Sequence, residues 1–333
     1  MNDKVVELDY GAIKDMQPSS IAKVKNSTTE VGKFLYELKN NEIAHEFGEI
    51  SKEGRIVVIP IGFSQAGKTQ LISSLMYYAQ KGEDSLFHIN YKVEFPYDKG
   101  SKELQEMTEA YENRVLKPST PRNTLDLIGI DIHPNIERLK KYILKLAFLD
   151  IAGEDVKEIR TVAKGEFPEK IHNALKGLKI DKDKTNVIFM LITPYKPVQE
   201  GTETLSQAEN RDDTLHFNFL NYLKELNPDL LHKCTFFVIA SQWDLNPNRE
   251  QPVEEFFRTK RPKIYQYVKN QQVIWGEYSI GEILVVENSD GSIHKSLERI
   301  NHEYPRLFWE KLYHICMGIR LRRSWWERLF GTN

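Results

Sequence analysis

The chain has 333 residues, 40% of them hydrophobic, enough to bury a full core in one large domain or two smaller ones. Its 46 basic and 48 acidic residues leave a formal net charge of -2, which excludes a global field that would draw it to nucleic acid or an anionic membrane. Only Cys234 and Cys316 are present, which excludes a disulfide framework and a paired CxxC zinc site; with no signal-peptide layout and no apolar run of about 18 residues, a soluble cytoplasmic protein is expected.

Residues 1–26 are polar, with a break at Pro18-Ser19-Ser20. Ser27 and Glu30 then form a capping-box pattern before Val31, Phe34, Leu35 and Leu38 at helical spacing, so residues 1–54 are expected to form a helical extension packed on the main domain. The continuous apolar run 56–61 predicts a buried parallel strand, with Pro60 tolerated near its end. Leu71, Ile72, Leu75, Met76 and Ala79 predict a helix that closes at Gly82. Four further apolar strands are expected at 146–149, 187–192, 235–240 and 283–286, with helical stretches such as 217–226 between most of them.

The strand-like runs 124–132 and 141–149 are joined by too few residues for a crossover helix, so they should pair antiparallel at one edge. The alternation predicts an α/β three-layer sandwich: a mostly parallel sheet with one antiparallel edge strand, helices on both faces, and a ligand site at the carboxyl ends of the strands. The main domain should span 55–320, with an insertion at about 83–118 that includes residues 86–95 and a helix-like stretch at 102–116. Phe308, Trp309, Leu312, Ile315, Cys316 and Ile319 share one helical face and predict a closing core helix. The basic and aromatic tail after it, 321–333, suits a membrane interface or a partner protein, or packing of its tryptophans on the domain itself.

Between the first apolar strand and its helix stands Gly62-Phe63-Ser64-Gln65-Ala66-Gly67-Lys68-Thr69, the spacing of a phosphate-binding P-loop, or Walker A motif. Glycines at both ends let the backbone curl so that successive N–H groups, from Gly62 through Ser64, Gln65, Ala66 and Gly67 to Gln70, face phosphate oxygens. Lys68 has the reach for the β- and γ-phosphates, and the Thr69 hydroxyl suits a bridging Mg2+.

Asp150 follows an apolar strand and is followed by Ile151-Ala152-Gly153, which places a carboxylate where a magnesium-directed Asp belongs. Ser241-Gln242-Trp243-Asp244 follows another strand, and the Asp244 carboxylate could accept from both N1–H and the N2 amine of guanine, a donor pair that adenine lacks. Each of these two segments also has the composition of an ordinary polar turn. Their order along the chain is what joins them to the loop.

GFSQAGKT, DIAG and SQWD together resemble the Ras-like P-loop GTPases of the translation-factor (TRAFAC) class, over roughly residues 55–320. The resemblance implies the P-loop NTPase sandwich, GTP or GDP with Mg2+ as ligands, Thr120 or Thr124 as the switch-I threonine on the metal, and Ser289 as a last guanine-binding element. Three departures stand out. Ser241 and Gln242 replace the usual Asn and Lys, Glu154 stands where many members have a water-positioning glutamine, and the stretch from Thr69 to Asp150 is longer than a minimal member needs. The proline-then-threonine run before the hairpin and the DxxGE after it are more similar to the bacterial double-GTPase family.

The expected function is a Mg-dependent GTPase that acts as a conformational switch, with Lys68, Glu154 and Thr120 or Thr124 in catalysis and a protein effector at the switch regions. No nucleic-acid partner is expected. Glu154 can orient or deprotonate water but adds charge beside the γ-phosphate, so turnover is expected to be slow. A GTP-gated interaction module with little hydrolysis and a P-loop ATPase are the alternatives.

Overall fold

The computed structural model describes residues 40–63, 66–82, 85–116, 125–151, 155–156, 169–178, 187–287 and 293–320, with the backbone alone at 40, 285–287 and 293–294. The helix expected over 27–38 and the tail 321–333 lie outside these residues. The described helices are α1 (Asn40–Lys52), α2 (Lys68–Lys81), α3 (Asp98–Glu112), α4 (Glu169–Gly177), α5 (Leu205–Leu226), α6 (Pro228–Lys233), α7 (Val253–Lys260), α8 (Pro262–Val268) and α9 (Glu303–Met317). The strands are β1 (Ile56–Ile61), β2 (Phe87–Tyr91), β3 (Leu125–Pro134), β4 (Leu144–Ile151), β5 (Val187–Pro194), β6 (Thr235–Ser241), β7 (Val273–Tyr278), β8 (Gly281–Glu287) and β9 (Ile293–Ile300).

β1, β5 and β6 are buried at every position, which is why their sequences are unbroken apolar runs and not alternating ones. They form the centre of a seven-stranded sheet in the order β2-β3-β4-β1-β5-β6-β7. Side chains leave β1 in alternation. Val57, Ile59 and Ile61 enter a core shared with α1, α4, α5, α7 and α8, while Ile56 and Val58 enter a second core with α2, α3 and α9. The result is the expected three-layer sandwich with helices on both faces. The closing helix is also as expected, with Phe308, Trp309 and Leu312 of α9 buried in the second core.

The antiparallel region differs from expectation in one respect. β3 and β4 pair antiparallel as read, with Asp126 opposite Asp150. β3 is not the edge, however, because β2 pairs antiparallel along its other side. The stretch read as an insertion therefore supplies the edge strand, and its helix α3 buries Leu104, Met107 and Tyr111.

The last strand of the sheet is also corrected. Residues 283–286, expected as a strand of the main sheet, belong to β8, which among the described residues pairs only with β9 in a separate two-stranded sheet. The main sheet instead ends in β7, half-buried over Val273, Ile274 and Trp275. An edge strand faces the core with part of its surface, so β7 never shows the unbroken apolar run that marks a central strand. β8 has such a run, yet Ile283 and Leu284 remain exposed.

Candidate functional site

β1, β4, β5, β6 and β7 run parallel, so their carboxyl ends share one edge of the sheet. The chain order reverses about β1, which has β4 on one side and β5 on the other, and a crevice at such a switch point is where open α/β sheets place ligands. Gly62, Asp150 and Ser241 all stand at this edge.

Two glycines shape the segment that leaves β1. A side chain at Gly62 would press to 2.7 Å from the Ile192 carbonyl of β5, so only glycine allows this close approach. Gly67 adopts φ 85 and ψ 19, a left-handed conformation that caps the N-terminus of α2, and here backbone geometry is the constraint, since open space surrounds its missing Cβ. Between them the Ala66 amide donates to the Phe63 carbonyl at 3.0 Å, and the Leu71 amide to Gly67 at 2.8 Å begins the helix. Ser64 and Gln65 lie outside the described residues.

Lys68 is buried, and its Nζ donates to the Gly62 carbonyl at 2.9 Å and to that of Phe63 at 3.5 Å. The ammonium thus lies across the turn that its own helix begins. Thr69 and Gln70 follow half-buried. Asp150 is 1% exposed at the end of β4.

At the end of β6, Ser241 donates its hydroxyl to the Ala66 carbonyl at 2.8 Å. The residue read as part of a base-recognition motif therefore ties the glycine-rich turn to the sheet. Gln242 takes the left-handed region at φ 58 and opens a 3-10 turn, Trp243–Leu245. Trp243 is buried between Tyr195 and Phe256, with ring centroids at 5.7 Å from each, which fixes the turn and leaves Asp244 half-buried beside it. The Asp244 carbonyl accepts from Arg249 Nη2 at 2.7 Å.

The residues that sequence reading missed lie on α5. Its inward stripe contains Arg211, Asp212 and His216 among Ala208, Leu215 and Phe219, all buried. Arg211 stacks its guanidinium 4.2 Å over the Phe63 ring, donates to the Val198 carbonyl at 2.7 Å and pairs with Glu203. His216 is fully buried, its Nε2 3.2 Å from the Ile61 carbonyl and its Nδ1 2.9 Å from that of Asp212. Burial lowers its pKa to about 4, so the ring is neutral at physiological pH. Burial raises Asp212 to about 6 against the pull of Arg261 and Arg211. The sequence signal is ionisable residues at core positions of an amphipathic helix, and it lies N-terminal to the stretch 217–226 that the sequence marks as helical.

Thr120, Thr124, Gly153, Glu154 and Ser289 lie outside the described residues. The strand expected to precede Ser289 is β8 of the hairpin; at the carboxyl end of β7 the buried serine is Ser279, whose hydroxyl accepts from the Gly281 amide at 3.3 Å. Among the described residues, no three His, Cys, Asp or Glu side chains converge on a metal position. A divalent ion at this edge would need the sparse oxygen set that Thr69 and Asp150 offer, completed by ligand oxygens, which is the way Mg2+ is usually held.

No protein-family model matches the chain, and no curated protein matches it. The fold that is shown is an α/β sandwich with a mixed sheet. Among the described residues, no helix is long and apolar enough to cross a membrane.

Proposed function

We propose that the chain is a P-loop GTPase of the TRAFAC class, binding GTP with Mg2+ at Gly62–Thr69 and hydrolysing it to GDP and phosphate as a conformational switch. The observation that carries this reading is the seat of Lys68: a buried ammonium 2.9 Å from the Gly62 carbonyl, at the head of α2 and at the switch point of the sheet. A buried cation at a helix N-terminus favours a polyanion twice, through its own charge and through the helix dipole.

In this reading the loop amides hold the phosphate chain and Lys68 balances the β- and γ-oxygens. Thr69 and Asp150 hold the metal, with Thr120 or Thr124 completing its shell. Magnesium, when bound, neutralises charge that develops on the phosphate oxygens. Asp244 reads guanine by accepting from its N1–H and N2 amine, with Gln242 beside the base. Glu154 orients or deprotonates the attacking water, and Gly153 takes part in holding the nucleotide. The switch segments then present a nucleotide-dependent surface to a protein partner.

Glu154, a charge where a neutral glutamine would position water, favours a second reading in which GTP gates an interaction and hydrolysis is slight. Titration of the full chain with GTP and ATP tests the first reading, with Asp244→Asn expected to abolish a preference for GTP. Tighter ATP binding by the wild type would replace it with an ATPase. Single-turnover hydrolysis by wild type and Glu154→Gln separates switch from module.

A further inference from the structure

The corner where β1 becomes the glycine-rich loop is gripped from both faces of the sheet. β1 runs beside β4 only as far as Val58, and continues to Ile61 with its register on β5. Lys68, from α2 on one face, donates to the Gly62 carbonyl at 2.9 Å. His216, from α5 on the other, brings Nε2 to 3.2 Å from the carbonyl of Ile61, the residue before. Arg211, five residues earlier on α5, covers the ring of Phe63, the residue after Gly62.

A neutral imidazole carries one N–H, and two carbonyls face the His216 ring. The Asp212 carbonyl lies within α5, where helical geometry already directs the amide of residue 216 to it. Ile61 ends β1 in register with Leu191 of β5, and the His216 ring reaches its carbonyl from the helix layer. With the proton on Nε2 the ring donates to the Ile61 carbonyl, and the contact ties the exit direction of β1 to a 22-residue helix.

We propose that His216 is a positioning residue for nucleotide binding: its Nε2–H fixes the Ile61 carbonyl, and through it the orientation of Gly62 and the amides that follow. The inference rests on the nucleotide reading above. It assigns His216 no contact with the nucleotide, so loss of the bond weakens the hold on the phosphates without changing which base is chosen.

Glutamine and asparagine separate the two ring contacts, since a glutamine amide reaches the position of Nε2 and an asparagine amide only that of Nδ1. GTP, GDP and ATP affinities are measured for the full chain as wild type, His216→Gln, His216→Asn and His216→Phe, with a melting temperature for each. The expected result is roughly five- to tenfold weaker binding of all three nucleotides by the Asn and Phe variants, recovery by Gln, and a GTP-to-ATP ratio that stays constant. The Gln and Asn pair decides the matter even where Phe prevents folding. Wild-type affinity in the Asn variant, or recovery by Asn and not by Gln, overturns the inference and leaves the nucleotide reading standing. A wild type that binds none of the three nucleotides overturns that reading, and this inference with it.

Discussion

The hydroxyl of Ser241 donates to the Ala66 carbonyl 2.8 Å away, so the strand that leads into Gln242 and Asp244 also braces the turn at Gly62–Thr69. The two halves of the candidate site are thus joined by one buried hydrogen bond.

Ser241→Ala removes that bond and leaves the buried Ala66 carbonyl short of a donor. A loss of about 1 kcal/mol of folding stability is expected, with weaker binding of GTP and ATP by the same factor. Urea unfolding and nucleotide titration of the variant check both. A selective loss of GTP would mean that Ser241 acts on the base and not on the loop.

His216 makes stability depend on pH in a defined direction. Its native pKa of about 4 lies below the ordinary value near 6.5, so between these values the unfolded chain binds the proton and the native state does not. This contribution is fully present above pH 6.5 and is lost as pH falls toward 4. Asp212, raised to about 6, works in the opposite sense over an overlapping range, and Arg211, Arg261 and Lys68 stand nearby. All of these remain in His216→Gln, so the comparison isolates the imidazole. Chemical unfolding from pH 7 to pH 4.5 should show the wild type losing stability more steeply than the variant; parallel profiles would contradict the assignment.

The stretch between α2 and β3 is expected to be indispensable to the fold. β2 covers the side of β3 that would otherwise be an open edge, and Tyr97, Leu104, Met107 and Tyr111 are buried. Replacing residues 85–116 by a short linker should abolish cooperative unfolding, as followed by circular dichroism. A soluble product with an unchanged melting temperature would show the segment to be an appendage.

The central strands were legible because burial on both faces writes itself into the sequence as continuous Val, Ile, Leu and Phe. The edges were not. β2 reads Phe-His-Ile-Asn-Tyr with only Phe87 fully buried, and β7 breaks its apolar run at Gly276. β8 was assigned to the wrong sheet because an apolar run reports hydrophobicity and not which strand lies beside it. At the site, Gly62, Gly67 and Lys68 were legible because their constraints are local, a close approach and a positive φ within one turn. His216 reaches Ile61 across 155 positions of sequence, and a contact of that range leaves no local pattern.

The Lys68 ammonium is the proposed seat of a nucleotide phosphate chain. Equilibrium titration of the full chain with GTP in the presence of Mg2+, for wild type and Lys68→Ala, tests this most directly. The prediction is saturable binding by the wild type and affinity weaker by about a hundredfold in the folded variant, the loss of charge-assisted hydrogen bonds to phosphate. Equal affinity of the two proteins, or no binding by the wild type, would contradict it.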